Sequence, residues 1–135
     1  MAEIDKQAQG RRNRRIGAQF ERDIRKDMIS KGWIVDKWTN NIDLQTDEIV
    51  QAKTNRFMAR SCGFPDFIMF RISGDGTVNK NYELKFIECK TNNKLSKEEK
   101  MKMEVLRKMG HKCYIMFLEG KTIKCREFSG YENKS

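Results

Sequence analysis

Apolar residues recur every fourth position at Ile16, Phe20, Ile24 and Met28, so the spacing predicts an amphipathic helix from Ile16 to Lys31, with Gly32 as its stop. "WIVDKW" (33–38) reads as a strand. Residues 39–63 are polar and irregular, with one short apolar run in "EIVQAK" that offers a further strand. A segment this long without clear structure is usually functional or disordered. Strand character returns in "GFPDFIMF" (63–70) and in "LKFIECKT" (84–91), and the turn-rich "ISGDGTVNKNY" between them predicts a hairpin. "LSKEEKMKMEVLRKMG" (95–110) carries both ends of a helix: Ser96 and Glu99 have the spacing of a capping box, and Gly110 follows the last turn. "CYIMFL" (113–118) is continuously apolar, as a strand buried on both faces would be. "TIKCREF" (122–128) alternates like a half-exposed edge strand after an "EGK" turn. These elements predict an α/β domain, a mixed sheet flanked by helices.

One predicted core strand carries an acid and a base. Glu88 and Lys90 are two residues apart in "KFIECKTN", so they share a face, with Ile87 and Cys89 on the other. An ion pair in a core is costly unless other groups complete it. Asp66, after Pro65 at the start of the preceding strand, comes near Glu88 if the two strands pair as a hairpin. Two close carboxylates resist joint ionisation, and a divalent cation relieves that repulsion. Mg²⁺ suits such a pair, because it takes about one or two carboxylates together with waters and phosphate oxygens. Lys90 would then stand beside the metal, able to orient a water or to stabilise charge on a phosphate. Glu21 lies on or beside the apolar stripe of the first helix. Two readings stand for it: a third acid of the site, or an exposed partner of Arg25 at i+4.

Charge adds a partner. Lys and Arg number 28 against 19 Asp and Glu, a net +9 with a pI near 9.5, which favours a polyanionic partner, most often nucleic acid, the alternative being that the charge serves solubility alone. Residues 1–15 read as a flexible basic arm in which Arg11, Arg12, Arg14 and Arg15 would bind DNA phosphates; 16–130 form the folded domain and 131–135 a flexible tail. Lys53, Arg56 and Arg60 lie in the long segment leading to the acidic pair, where they would grip phosphates or serve as ordinary surface charge. Trp33, Trp38 and Phe57 read as core rather than as base-stacking platforms. Cys62, Cys89, Cys113 and Cys125 form no C-x-x-C pair and three of them lie in apolar strand-like runs, which suits buried, reduced thiols in a cytoplasmic compartment. His111 is the only histidine, so neither a zinc cluster nor a His-based nucleophile is expected. The charged start of the chain does not read as a signal peptide, and no apolar run is long enough to span a bilayer.

Together these residues carry a resemblance. Pro65-Asp66 followed by Glu88-x-Lys90 resembles the signature of the PD-(D/E)xK nucleases. "GAQFERDI" (17–24) resembles the first-helix motif of archaeal-type Holliday junction resolvases, with the acid on Glu21. "ECKTNNKLSKEEK" (88–100) is similar to the stretch after the catalytic strand in virus-type replication-repair nucleases, although Glu99 stands where that family commonly has glutamine. Glu99 is accounted for by the capping box and is not counted as catalytic. The resemblance spans residues 17–117 and implies a restriction-endonuclease-like fold. It implies Mg²⁺-dependent phosphodiester hydrolysis, with Mn²⁺ able to substitute. Asp66, Glu88 and the carbonyl of Cys89 would be ligands, Glu21 would complete the site, and Lys90 would position the attacking water. Ser61 falls where junction resolvases often have a loop serine. The expected substrate is branched DNA, a Holliday junction first, cut by a homodimer whose two-fold symmetry matches two cleavage points. The alternatives are a flap or restriction-like nuclease, or an inactive basic DNA-binding module.

Overall fold

The computed structural model describes residues 2–52, 63–74 and 80–132. A long helix, α1 (Ala2–Ser30), opens the chain, followed by short strands β1 (Ile34–Lys37), β2 (Asn40–Asp43) and β3 (Glu48–Gln51). Then come β4 (Phe67–Gly74), β5 (Lys80–Cys89), helix α2 (Lys97–Lys108), β6 (Lys112–Glu119) and β7 (Thr122–Glu127). The central sheet is mixed and five-stranded, in the order β1-β4-β5-β6-β7. β4 and β5 are the expected antiparallel hairpin, with Phe67 opposite Ile87. β5 and β6 run parallel, joined through α2. The architecture is therefore α/β with a mixed central sheet, compatible with a restriction-endonuclease-like fold.

Two cores fix which side chains meet. On one face of the sheet Phe20, Ile24 and Met28 of α1 pack on Trp33, Val35, Phe67, Met69, Ile87 and Met116. On the other face Met103 and Leu106 of α2 pack with Phe86, Cys113 and Ile115. A small β2–β3 sheet adds Ile42 to this second core. The alternation along β5 sends Ile87 and Cys89 toward α1, and Phe86 and Glu88 toward α2. Trp33 is core, as expected, and Trp38 packs edge-on against Phe86 with ring centroids 4.9 Å apart. β7 is the expected edge strand.

Three expectations are corrected. Residues 2–15 continue α1 instead of forming a flexible arm. They contain no proline and are rich in Ala, Gln, Lys and Arg, which favour helix without any apolar stripe to announce it. The polar segment after Trp38 holds a real strand, β2, paired residue for residue with β3. Tyr131, the first residue of the expected 131–135 tail, donates its N–H to Glu104 Oε2 at 2.8 Å and packs its ring on the second core, while 133–135 lie outside the described residues. Glu104 is buried, and Arg107 grips it through Nε (3.0 Å) and Nη2 (2.6 Å). Cys125 also departs from expectation, being exposed on β7. Phe57 and Cys62 lie outside the described residues. Among the described residues no helix is long and apolar enough to cross a membrane.

The approach to β4 depends on Gly63. A Cβ there would stand 2.1 Å from the carbonyl oxygen of Trp38 and 3.2 Å from that of Asn40. Both are backbone atoms and cannot rotate away, so only glycine fits. The Phe64 N–H donates to Asn40 O at 2.9 Å, and the Trp38 N–H donates to Asp66 O at 3.0 Å, so Gly63 to Asp66 is laced to the β1–β2 connection. Gly63→Ala is expected to lower stability by about 1–3 kcal/mol, as overpacking does, and to displace Asp66. A thermal melt checks this; an unchanged midpoint would show that the connection yields.

Candidate functional site

The site forms where β4 begins and β5 ends. Asp66 and Glu88 each hold the other's strand. The Asp66 N–H donates to Glu88 Oε1 at 3.1 Å, and the Cys89 N–H donates to Asp66 Oδ2 at 2.8 Å. This reciprocal clasp follows from the register, since Phe67 opposite Ile87 sets Asp66 one step from Glu88. The proximity expected from the hairpin is thus observed.

Glu88 is 4% exposed. Burial, with the charge of Asp66 beside it, raises its carboxyl well above the usual carboxylate range. Lys90 Nζ stands 3.6 Å from Glu88 Oε2 and 2.7 Å from Glu99 Oε2. Burial works against the Lys90 charge, but contact with Glu99 and the charge of Glu88 outweigh it and raise its pKa. Lys90 is therefore a cation at neutral pH, suited to stabilise negative charge and unable to act as a base there. Glu99 keeps its charge despite partial burial: hydrogen bonds with Glu88 and Lys90 hold its carboxyl down at about 2.

Glu99 is the site residue that sequence reasoning passed over. Its capping role is real, as Oε1 accepts from the Ser96 N–H at 2.8 Å and Ser96 Oγ accepts from the Glu99 N–H at 3.1 Å. Its second oxygen is what reaches Lys90. The available signal was an acid one helical turn past a loop that leaves the "ECK" strand, in the place where the resembled family has glutamine.

Glu21 comes from the other side of the sheet. It is half-buried on α1, and its charge is one of those, after burial, Asp66 and Glu88, that raise the Cys89 thiol. Glu21 thus borders the Cys89 end of β5, while Glu88 and Lys90 face α2. The loop beyond Lys90 is pinned by Arg126 Nε donating to Asn93 Oδ1 at 2.6 Å. Lys53, Arg56, Arg60 and Ser61 lie outside the described residues. Arg11, Arg12, Arg14 and Arg15 are exposed on α1.

The donor set fits a hard divalent cation. Asp66 and Glu88 supply carboxylate oxygens, and a buried carboxyl that holds a proton is a position where a cation can take the proton's place. In an extended strand the N–H and C=O of one residue leave by the same edge. The Cys89 N–H faces Asp66, so its carbonyl does too. Among the described residues no group of three or more His, Cys, Asp or Glu side chains is gathered around one point for a metal. Comparison of the chain with family models, curated proteins and solved structures returns no match.

Proposed function

We propose that this protein is a Mg²⁺-dependent endodeoxyribonuclease that hydrolyses phosphodiester bonds in branched DNA, with the four-way junction as its first substrate and a homodimer as its working form. One observation carries the reading: two mutually clasped carboxylates, one of them buried, lie within reach of a lysine at the exit of a central strand. A lone structural ion pair needs one acid; this cluster has an excess of acid that a cation would balance. Bound between Asp66, Glu88 and the Cys89 carbonyl, Mg²⁺ would polarise the scissile phosphate. Lys90 holds positive charge where the phosphate develops negative charge, and Glu99 fixes its direction. Glu21 adds negative charge from the α1 side. The net +9 supports a polyanionic substrate.

The test is to incubate labelled junction, flap and linear duplex with the protein, with Mg²⁺ or Mn²⁺ and with excess chelator. Cleavage of the junction in metal alone is the expected result. Full cleavage in chelator would overturn the metal mechanism. A preference for the flap or linear duplex would move the substrate to the corresponding nuclease class, and binding without cleavage under all conditions would indicate an inactive module.

A further inference from the structure

The helical course of residues 2–15 turns a set of scattered arginines into a pattern. Arg11, Arg14, Arg15, Arg22 and Arg25 are spaced by three, one, seven and three residues, so with Ala18 they form one stripe of α1. Arg11, Arg14, Arg15, Ala18 and Arg22 line one shallow concavity of about 540 Å³. Arg12 is off this stripe, on the side of α1 that carries Gln19, Asp23 and Asp27, where Gln19 Nε2 donates to Asp23 Oδ1 and Asp27 pairs with Lys31. The arginines of α1 are therefore concentrated on one side, and the opposite side mixes Arg12 with acids and amides. All five arginines are exposed, and Arg22 Nη2 donates to Gln19 Oε1 at 2.8 Å.

Such a stripe opposes its own helix. Arg11 and Arg15 are at i,i+4, and Arg22 and Arg25 at i,i+3, arrangements in which like charges destabilise. Among the described side chains, none from Lys6 to Arg15 is buried against the body to offset this. A row of anions laid along the stripe removes the repulsion. The stripe runs about 21 Å at 1.5 Å rise per residue, which matches about six phosphates along one strand of a duplex at 3.4 Å each. It contains no aromatic residue on which a splayed base could stack, so it is suited to a stiff backbone and not to single strands.

We infer that this face of α1 is a docking ridge for the sugar–phosphate backbone of duplex DNA, with Arg22 and Arg25 in it and Arg12 outside it. The ridge borders Glu21, three residues from Ala18 and four from Arg25, so a backbone bound there leads to the Cys89 end of β5. The inference deepens the nuclease reading and rests on it only for the choice of DNA as the polyanion.

Anisotropy titrations of a 20-base-pair duplex in chelator, across a salt series, test it apart from catalysis. Arg15→Gln and Arg22→Gln are each expected to reduce the slope of log K against log salt by about 0.9, and the quadruple Arg11, Arg14, Arg15 and Arg22 to Gln by roughly three to four. Glutamine retains helix propensity, and circular dichroism confirms that α1 persists. Arg12→Gln is expected to leave the slope unchanged. If Arg12→Gln reduces it as much as Arg15→Gln, the effect is net charge and the ridge is refuted. If a single strand of equal length binds as tightly with the same arginine dependence, the duplex assignment is refuted. Loss of cleavage in Mg²⁺ with these slopes intact would count against the nuclease and leave the ridge standing.

Discussion

Asp66→Asn and Glu88→Gln are each expected to abolish cleavage while leaving DNA affinity nearly intact, because each removes charge from the cation's site and touches no phosphate-binding arginine. Glu88→Gln should in addition raise the melting temperature of the chelated protein at neutral pH. The sign follows from burial. The folded-state pKa of Glu88 lies above its unfolded value of about 4.3, so its favourable contribution exists below that pH and is lost as pH rises through the folded pKa. At neutral pH the buried acid costs stability, and glutamine escapes that cost. The gain should disappear as pH falls below about 4. A variant that is more stable and inactive cannot be explained by misfolding; one that is inactive and less stable at neutral pH would contradict the assigned role of Glu88. The same linkage predicts that Mg²⁺ protects the wild type against heat increasingly as pH rises, because the cation must displace the Glu88 proton.

Lys90→Ala is expected to slow single-turnover cleavage by about 10²–10⁴-fold, the range for a positioned group acting on charge or proton in the transition state. Calorimetry should still detect Mg²⁺ binding, since a protonated lysine has no lone pair to donate. Loss of metal binding as well would mean that the substitution disturbs the acidic pair, and the separate role of Lys90 would fall. Glu99→Gln sharpens the test. The amide oxygen can still accept from Ser96 N–H, so α2 should keep its cap and the melting temperature should shift little. The 2.7 Å ion pair to Lys90 is lost, however, so the pH profile of the rate should change. An unaltered profile would leave Glu99 with its capping role alone.

The parts of the fold legible in the sequence are those in which one physical demand governs each position. α2 is bounded by a capping box and a glycine, and both features appear as read, with Gly110 at φ 96°. β6 and the first half of β4 carry unbroken apolar runs, CYIMFL and FIMF, because both sheet faces are covered there. β2 was illegible because "NNID" has a single apolar residue, Ile42; its strand conformation comes from pairing with β3 and from that one buried side chain. The start of α1 was illegible for the opposite reason: from Lys6 to Arg15 no side chain is buried, so no periodicity betrays it. At the site, Asp66, Glu88 and Lys90 were found because each is out of place in a core strand. Glu99 was missed because one good explanation, the cap, was already sufficient, and a carboxylate has two oxygens that can serve two ends.

The reciprocal clasp between β4 and β5 also bears on the order in which the molecule comes together. Asp66 and Glu88 are separated by 22 residues and meet through a hairpin, and Lys90 and Glu99 are nearer still along the chain. The entropy lost on closing a loop grows with the logarithm of its length. Glu21 must close a loop roughly three times longer to reach the same place, at about 0.6–1 kcal/mol more. The acids and the lysine therefore belong to a low-contact-order nucleus of hairpin and helix, able to form while α1 is still undocked. α1 precedes β4, β5 and β6 in the sequence, and they supply most of the surface on which it packs, so the charged rod can be seated only after they have been made.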